Sequence, residues 1–138
     1  MPALFEYRRI VLPEEIDRLG HVNNLAYLKW MIDAALEHSA VQGWPTDKHH
    51  ELGAGWVVRS HYIEYLQPAM PDDTIVIKTW VAEMKRVTSL RKFQICRETD
   101  GELLARAETN WAFVDFSSGL PRRIPPEVSQ SFEVWESN

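Results

Sequence analysis

Several residues that can do chemistry stand together in the short segment 17–24. They are an acid, a glycine, a histidine and two asparagines: Asp17, Gly20, His21, Asn23 and Asn24. A long helical pattern follows directly, and the start of a helix alone does not require so many polar groups. The first N–H groups of a helix lack internal partners and carry the positive end of its dipole. That end can therefore stabilise an oxyanion close to Asp17.

The segment from Leu25 onward predicts one long helix that stops at Gly43 and Pro45. Its apolar positions form two faces, with Leu25, Leu28, Ile32, Ala35, Leu36 and Ser39 on one and Tyr27, Met31, Ala34 and Val41 on the other. Only a narrow polar strip remains, consisting of Lys29, Asp33 and Glu37. We therefore expect neighbouring elements to bury this helix on most sides.

Other segments have the alternating, β-branched or aromatic character of strands. They are residues 4–12, 56–66, 74–84, 87–97 and 103–115. Both faces of 74–84 are apolar, so we expect both to be covered. The Asp100-Gly101 pair predicts a hairpin between the last two strands. Residues 46–54 are predicted to be a loop, and the proline-rich end, 117–138, is predicted to lack regular structure.

This order predicts an α+β domain over residues 1–138. Its core would be a five-stranded antiparallel sheet, with the last four strands in a meander, curled around one long central helix. A chain of 138 residues fits a single domain. Because one copy leaves sheet edges open, we expect a homodimer or a higher homo-oligomer.

Composition limits the partners of this chain. The formal net charge is -5 and no block of Lys and Arg occurs, which argues against nucleic acid. The chain start has no apolar signal region and no spanning segment, so no membrane association is predicted. The single cysteine, Cys96, permits no internal disulfide framework. We therefore expect a soluble protein in the reducing cytoplasm.

The motif Asp17-x-x-Gly20-His21-Val22-Asn23-Asn24-x-x-Tyr27 resembles the signature of the 4-hydroxybenzoyl-CoA thioesterase-like branch of hotdog-fold proteins. The same segment is similar to the helix entry of acyl-carrier-protein thioesterases. In those proteins the acid and the histidine usually bracket an asparagine, and here that position is Leu19. The resemblance extends over nearly the whole chain, to residues 122–125, but only the part from 17 to 27 is specific.

The resemblance implies that Asp17 is the catalytic carboxylate, acting as a nucleophile or as a general base toward water. The thioester carbonyl would lie at the helix N-terminus, with the N–H of Asn24 and its neighbours as the oxyanion site. Gly20 would let the backbone pass close to the substrate. Asp17 also has a structural interpretation, because an Asp before a helix commonly caps local amides.

The remaining polar residues of this segment have structural alternatives as well. His21 would contact substrate or orient Asp17, yet a histidine in a loop is often a hydrogen-bonded structural group. Asn23 or Asn24 is expected to be the helix cap. Tyr27 is expected mainly to pack. Glu37 and Asp33 are expected to be solvated, although related hotdog enzymes place a catalytic acid on this helix.

For the rest of the substrate, the resemblance implies contacts to coenzyme A from Lys85, Arg86, Ser89 and Arg122, with Arg91, Lys92 and Arg123 nearby in sequence. Surface charge explains the basic residues equally well. By fold analogy, Trp56, Ser60 and His61 would form the acyl pocket or a wall contributed by the partner subunit. The six tryptophans suggest a roomy apolar or aromatic pocket.

Neither a metal nor a cysteine nucleophile is predicted. Residues 49–51 and His61 include metal-ligand types, but adjacent histidines point in different directions and no HExxH motif occurs. Cys96 has no sequence neighbour that would lower its pKa. No separate cofactor is expected, since coenzyme A is part of the substrate.

The function predicted from the sequence is acyl-CoA hydrolysis at a site shared across a dimer. A hydrolase of acyl-carrier-protein thioesters, a hotdog dehydratase and a non-catalytic acyl-CoA-binding module are the alternatives.

Overall fold

The computed structural model describes residues 4–135. Its elements in chain order are β1 (Phe5–Ile10), α1 (Asn24–Val41), α2 (Thr46–Leu52), β2 (Ala54–Tyr65), β3 (Thr74–Met84), β4 (Thr88–Arg97), β5 (Leu103–Asp115) and α3 (Pro126–Ser129). All five predicted strands are present. The last three residues of the predicted irregular end lie outside the described residues.

The strands form one antiparallel sheet in the order β1-β3-β4-β5-β2. The predicted meander is therefore right for β3, β4 and β5 but wrong for β2, which pairs with β5. The connection from β2 to β3 is too long to form a tight hairpin. It contains Pro68 and Pro71 and passes the start of α1. There Ala69 donates its N–H to the Tyr27 hydroxyl at 3.0 Å. This path carries the chain past β5 and β4, so that β3 pairs with β4 and β1.

The hairpin expected at Asp100-Gly101 joins β4 to β5. Gly101 has a φ of 70°, which favours glycine, and its N–H donates to the Arg97 carbonyl at 2.9 Å. The expected cover on both faces of β3 is also found. Ile77 is buried on the side of α1, and Trp80 is buried on the other side, where its ring lies 5.2 Å from that of Trp135.

Only one side of α1 is buried against the sheet. The buried residues are Ala26, Tyr27, Trp30, Met31, Ala34, Ala35 and His38. On the other side Leu25 is 74% and Leu36 is 50% exposed. The expectation that the helix is wrapped on most sides is therefore wrong for the single chain, because the sheet packs against one of the two apolar faces. No helix within residues 4–135 is long and apolar enough to cross a bilayer.

Two short helices were not predicted, so α1 is not the sole helix. Residues 46–52 form α2, which ends at Gly53 in the left-handed conformation. The polar composition of this segment predicted a loop, but His49 anchors it by packing between Trp44 and Phe113. The proline-rich end likewise contains α3, whose Val128 is fully buried. Tertiary packing outweighs local sequence preference in both cases.

A buried carboxylate, Glu15, joins β1, the loop that follows it and α1. Its Oε2 accepts from Arg9 Nη2 at 3.0 Å and from Trp30 Nε1 at 2.9 Å. Its Oε1 accepts from the N–H of Leu12 at 2.8 Å, and its backbone carbonyl accepts from Asn23 N–H at 2.8 Å. Glu15 thus fixes the approach to the helix from several directions.

We expect Glu15→Gln to lower the free energy of unfolding by about 3 kcal/mol, since it removes the nearer charge partner of the largely buried Arg9 and leaves it Asp33, whose Oδ2 lies 3.6 Å from Arg9 Nη1. The amide NH₂ of the variant would also face an N–H donor, because both oxygens of the Glu15 carboxylate now accept hydrogen bonds. Urea unfolding measures the change. The matched control is Glu14→Gln, because Glu14 is adjacent and exposed. Equal stability of the two variants would contradict the assignment.

Candidate active site

The residues before α1 form a closed loop. Ile16 and Val22 make an antiparallel bridge across its base. Inside it, Asp17 N–H donates to the His21 carbonyl at 2.7 Å and Gly20 N–H donates to the Asp17 carbonyl at 3.1 Å. Gly20 has a φ of 80°, and open space surrounds the position that a Cβ would occupy. The turn conformation alone therefore explains the glycine.

The Asp17 carboxylate has one structural oxygen and one free oxygen. Oδ1 accepts from Leu19 N–H at 2.9 Å and from His21 N–H at 3.2 Å. Oδ2 has no hydrogen-bond partner within residues 4–135, and the residue is exposed. The loop thus holds the carboxylate in place while leaving one oxygen available to a water molecule or a carbonyl carbon.

Asn23 is the cap of α1, as one of the two asparagines was expected to be. Its side-chain oxygen accepts from Ala26 N–H at 3.1 Å. The N–H groups of Asn24 and Leu25 find no acceptor within the described residues. A helix leaves its first N–H groups without internal partners, so these two can receive a ligand oxygen that carries developing negative charge.

Two other residues of the predicted set have structural contacts in this region. Tyr27 is buried in the core, and burial raises the pKa of its hydroxyl, which accepts from Ala69 N–H. His21 holds Asp17 through its backbone. The Tyr65 hydroxyl, at the end of β2, donates to the Asn24 carbonyl at 3.3 Å. The end of β2 is thereby joined to the start of α1.

A cavity of about 160 Å³ lies at the other end of α1. The second half of α1, α2 and the adjacent parts of strands β2 to β5 line it. Its aromatic wall contains Trp44, Trp56, Trp111, Phe116 and Phe132. The tryptophan content had suggested such a pocket. We call this space the aromatic cavity.

One buried cation lies in the wall of the aromatic cavity. Arg91 is 6% exposed, and burial lowers its pKa to about 10. Its Nη1 donates to His38 Nδ1 at 2.9 Å and to Thr79 Oγ1 at 3.1 Å. Because a guanidinium has only donors, His38 Nδ1 must accept and His38 must be neutral. Burial, together with the charge of Arg91, lowers the pKa of His38 to about 3.

The predicted site residues do not all meet within one chain. Asp17, Gly20, His21, Asn23, Asn24 and Tyr27 lie at the start of α1. Trp56 and Ser89 line the aromatic cavity, whose α1 residues begin at Ala35, about 16 Å further along the helix axis. Ser60 and His61 are exposed on β2, where their side chains pair with Asn110 and Thr109.

The predicted coenzyme A contacts fall into two groups. Arg86 and Arg122 lie on neighbouring segments, since Ile124 N–H donates to the Arg86 carbonyl at 2.9 Å, and Lys85 precedes them in an exposed turn. Ser89 is instead buried in the cavity wall. Arg91 was named with the basic surface residues, and this is wrong because its guanidinium is buried.

The other candidates are also separated. His49 is buried whereas His50 is exposed, so the two histidines do point in different directions. Burial raises the pKa of the Cys96 thiol.

Sequence reasoning missed the role of Glu15 and the contact between His38 and Arg91. The spacing of Glu15 before the motif gave no signal, and His38 is separated from Arg91 by 53 residues.

Comparison with known proteins places the chain in a family. The model of the Thioesterase-like superfamily matches residues 11–132. The chain therefore belongs to the Thioesterase-like superfamily, and the resemblance to hotdog-fold thioesterases is confirmed.

Individual relatives agree with this class. The acyl-CoA thioesterase YbgC of Haemophilus influenzae is 28% identical over 129 residues, which cover 93% of each chain. The chloroplastic acyl-[acyl-carrier-protein] hydrolase FATB3 of Cuphea viscosissima is 35% identical over 75 residues, or 54% of this chain and 18% of that protein. A 1,4-dihydroxy-2-naphthoyl-CoA thioesterase from Synechocystis superimposes with a TM-score of 0.86 at 17% identity, covering 93% of this chain and 94% of that one. At 17% identity, this structural similarity shows a shared fold and nothing more.

The neutral state of His38 predicts a loss of stability in acid. Between about pH 6.5 and pH 3 the unfolded chain binds a proton at His38 that the folded chain does not, so stability falls as the pH falls. Between pH 7 and pH 5 this loss is about 2 kcal/mol. The variant His38→Gln, which keeps an acceptor for Arg91, should lose that much less than the wild type in urea unfolding at the two pH values. The exposed His50→Gln is the control, and an unchanged pH dependence in His38→Gln would refute the assignment.

Proposed function

We propose that this protein hydrolyses acyl-CoA thioesters, with Asp17 as the catalytic carboxylate. The observation that carries the proposal is the free Oδ2 of Asp17 in a braced loop that leads into a helix start with unpaired N–H groups. Membership of the Thioesterase-like superfamily supports the reaction class. The similarity to an acyl-CoA thioesterase along nearly the full chain supports coenzyme A as the carrier.

In this mechanism the thioester carbonyl oxygen lies against the N–H groups of Asn24 and Leu25. Asp17 Oδ2 takes a proton from water while the water oxygen attacks the carbonyl carbon, or the carboxylate itself attacks. The resulting oxyanion is stabilised by the helix start. When it collapses, the carbon–sulfur bond breaks and the thiolate leaves, taking a proton to give coenzyme A. In the water route the other product is the free acid; in the nucleophilic route it is an acyl–Asp17 anhydride, which a water molecule then hydrolyses to the free acid and the Asp17 carboxylate. Both routes use the same free oxygen.

We further propose that the active site is completed by a second copy of the chain. β2 is an edge of the sheet with exposed apolar side chains, among them Val57, Val58 and Tyr62. One end of β2 contributes Trp56 to the aromatic cavity, and the other end binds α1 through Tyr65. Antiparallel pairing of β2 with its copy would bring these opposite ends together. The Asp17 loop of one subunit would then face the aromatic cavity of the other.

The remaining features fit the same assembly. Arg86 and Arg122 lie near the cavity wall formed by Met84 and Ser89, where they would meet the phosphates of coenzyme A. The exposed apolar face of α1, including Leu25 and Leu36, would be covered in a higher homo-oligomer, and there the helix would become central as the sequence suggested. We propose a cytoplasmic location, in keeping with the unpaired Cys96.

A second candidate function is hydrolysis of acyl-carrier-protein thioesters. The local similarity to a chloroplastic acyl-[acyl-carrier-protein] hydrolase favours it, although this chain spans less than a fifth of that protein. The same carboxylate would perform the reaction. Comparing kcat/KM for one acyl group on the two carriers distinguishes these functions.

We expect Asp17→Asn to reduce kcat/KM for acyl-CoA hydrolysis by at least about 100-fold. The amide oxygen can still accept from Leu19 and His21, so the loop should fold, but Nδ2 cannot take a proton. The control is Glu37→Gln, which removes an exposed carboxylate from α1, the competing position for the acid. Unchanged activity in folded Asp17→Asn, or a comparable loss in Glu37→Gln, would overturn the assignment.

The shared site predicts complementation between two inactive variants. One is Asp17→Asn, and the other is Met84→Trp, which fills the aromatic cavity. Half of the dimers that form from an equal mixture are hybrids, and each hybrid holds one intact site. Co-refolded chains should therefore regain about a quarter of the wild-type activity. The control is each variant refolded alone, and a mixture no more active than its parents would show that the site lies within one chain.

A further inference from the structure

The aromatic cavity contains a positive charge that no residue of its wall neutralises. Hydrogen bonds from the Arg91 guanidinium to residues 4–135 come from Nη1 alone, and both acceptors, His38 and Thr79, are neutral. No carboxylate lies within salt-bridge distance of Arg91 in this part of the chain. None of the residues that line the cavity is an Asp or a Glu. A buried charge without a partner is costly, so this arrangement favours an anionic ligand.

Two further polar groups on the cavity wall lack partners. His49 is 8% exposed, and within the described residues both of its ring nitrogens are buried without a hydrogen bond. The indole N–H of Trp111 is likewise buried and unbonded. Buried polar groups in proteins are nearly always hydrogen-bonded. These nitrogens are covered by other atoms of the wall, so Arg91 is the charged group that a ligand in the cavity would meet.

The chemistry of these groups identifies the kind of ligand. The Arg91 guanidinium can only donate hydrogen bonds, and its Nε and Nη2 make none within residues 4–135. A carboxylate offers two oxygens that accept several such bonds. The rest of the wall is largely aromatic and aliphatic, and surroundings of low polarity strengthen a charged hydrogen bond. A cavity of about 160 Å³ is close to the size that holds a benzene molecule, so it fits a ring or a chain of about six carbons.

We propose that the aromatic cavity binds an acyl group that carries a carboxylate at the end remote from the thioester, and that Arg91 determines this specificity. The inference rests on the proposed acyl-CoA thioesterase function. The aromatic walls contact the body of the acyl group, while Arg91 receives the carboxylate. A neutral acyl group of the same size would fill the cavity but leave the guanidinium unpaired.

Neighbouring groups hold Arg91 in position for this role. Thr79 donates its hydroxyl hydrogen to the Lys92 carbonyl at 3.0 Å, which leaves its oxygen free to accept from Arg91. His38 is held by stacking on Phe5, with ring centroids 5.0 Å apart. Phe132 lies 5.6 Å from the guanidinium carbon and covers it. With Nη1 fixed in this way, the N–H groups of Nε and Nη2 are available to a ligand.

The test compares matched acyl-CoA substrates in kcat/KM. Adipoyl-CoA against heptanoyl-CoA represents an aliphatic acyl group, and 4-carboxybenzoyl-CoA against 4-isopropylbenzoyl-CoA represents an aromatic one. The wild type should prefer the carboxylate member of at least one pair by about 10- to 100-fold. Arg91→Met should abolish the preference by lowering kcat/KM for the carboxylate member of the pair. Arg106→Met, which removes an exposed arginine from β5, should leave the preference intact.

Binding of non-hydrolysable thioethers separates this proposal from the proposed activity. If no thioester is hydrolysed, the activity fails, but S-(5-carboxypentyl)-CoA should still bind the wild type more tightly than S-hexyl-CoA in calorimetry. A wild type that prefers the neutral member of every pair would overturn the proposal, whether or not Arg91→Met folds. A folded Arg91→Met that keeps the wild-type preference would also overturn it.

Discussion

The loop that carries Asp17 depends on the buried carboxylate of Glu15. A loop of polar residues before a helix has many conformations of similar energy, and ordering it costs about 1–2 kcal/mol per residue. Glu15 offsets this by binding Arg9 of β1 and Trp30 of α1 at once. Its backbone carbonyl also receives the N–H of Asn23, the residue that caps the helix. Strand, loop and helix are therefore held by one side chain two positions before the proposed catalytic residue.

Local patterns predicted the regular elements well and their arrangement less well. The bounds of β5 follow directly from alternation, those of β3 follow from an apolar run between turn residues, and the cap at Asn23 follows from the chemistry of a helix start. By contrast, nothing local shows that β2 pairs with β5, since that choice depends on the long connection past Tyr27. The helix α2 was missed for a related reason. Its polar sequence is stabilised by the packing of His49 against Trp44 and Phe113. Trp44 lies just before the helix, and Phe113 is distant in the chain.

In the candidate site, too, local features could be predicted from the sequence whereas long-range contacts could not. The motif at residues 17–27 pointed to the end of the helix where we propose catalysis, because the residues that would act there are neighbours in sequence. The aromatic cavity, however, is assembled from residues of six elements, and Arg91 looked like one more basic surface residue. A strand places alternate side chains on opposite faces, so Arg91 and its neighbour Lys92 lie on different sides of β4: one is buried and the other exposed. Only the position of β4 inside the sheet decides which of the two is buried.

The two ends of α1 offer different electrostatic environments, and in the proposed assembly each suits a different part of one substrate. The start presents unpaired N–H groups beside a carboxylate, which favours a carbonyl that gains negative charge for a moment. The cavity presents a permanent cation, and the neutral state of His38 keeps a second positive charge from forming beside it. Protonation of His38 would break its bond from Arg91 Nη1 and place two cations in contact. The low pKa of His38 therefore keeps Arg91 held by an acceptor at physiological pH, and this is the condition under which its remaining N–H groups can serve a ligand.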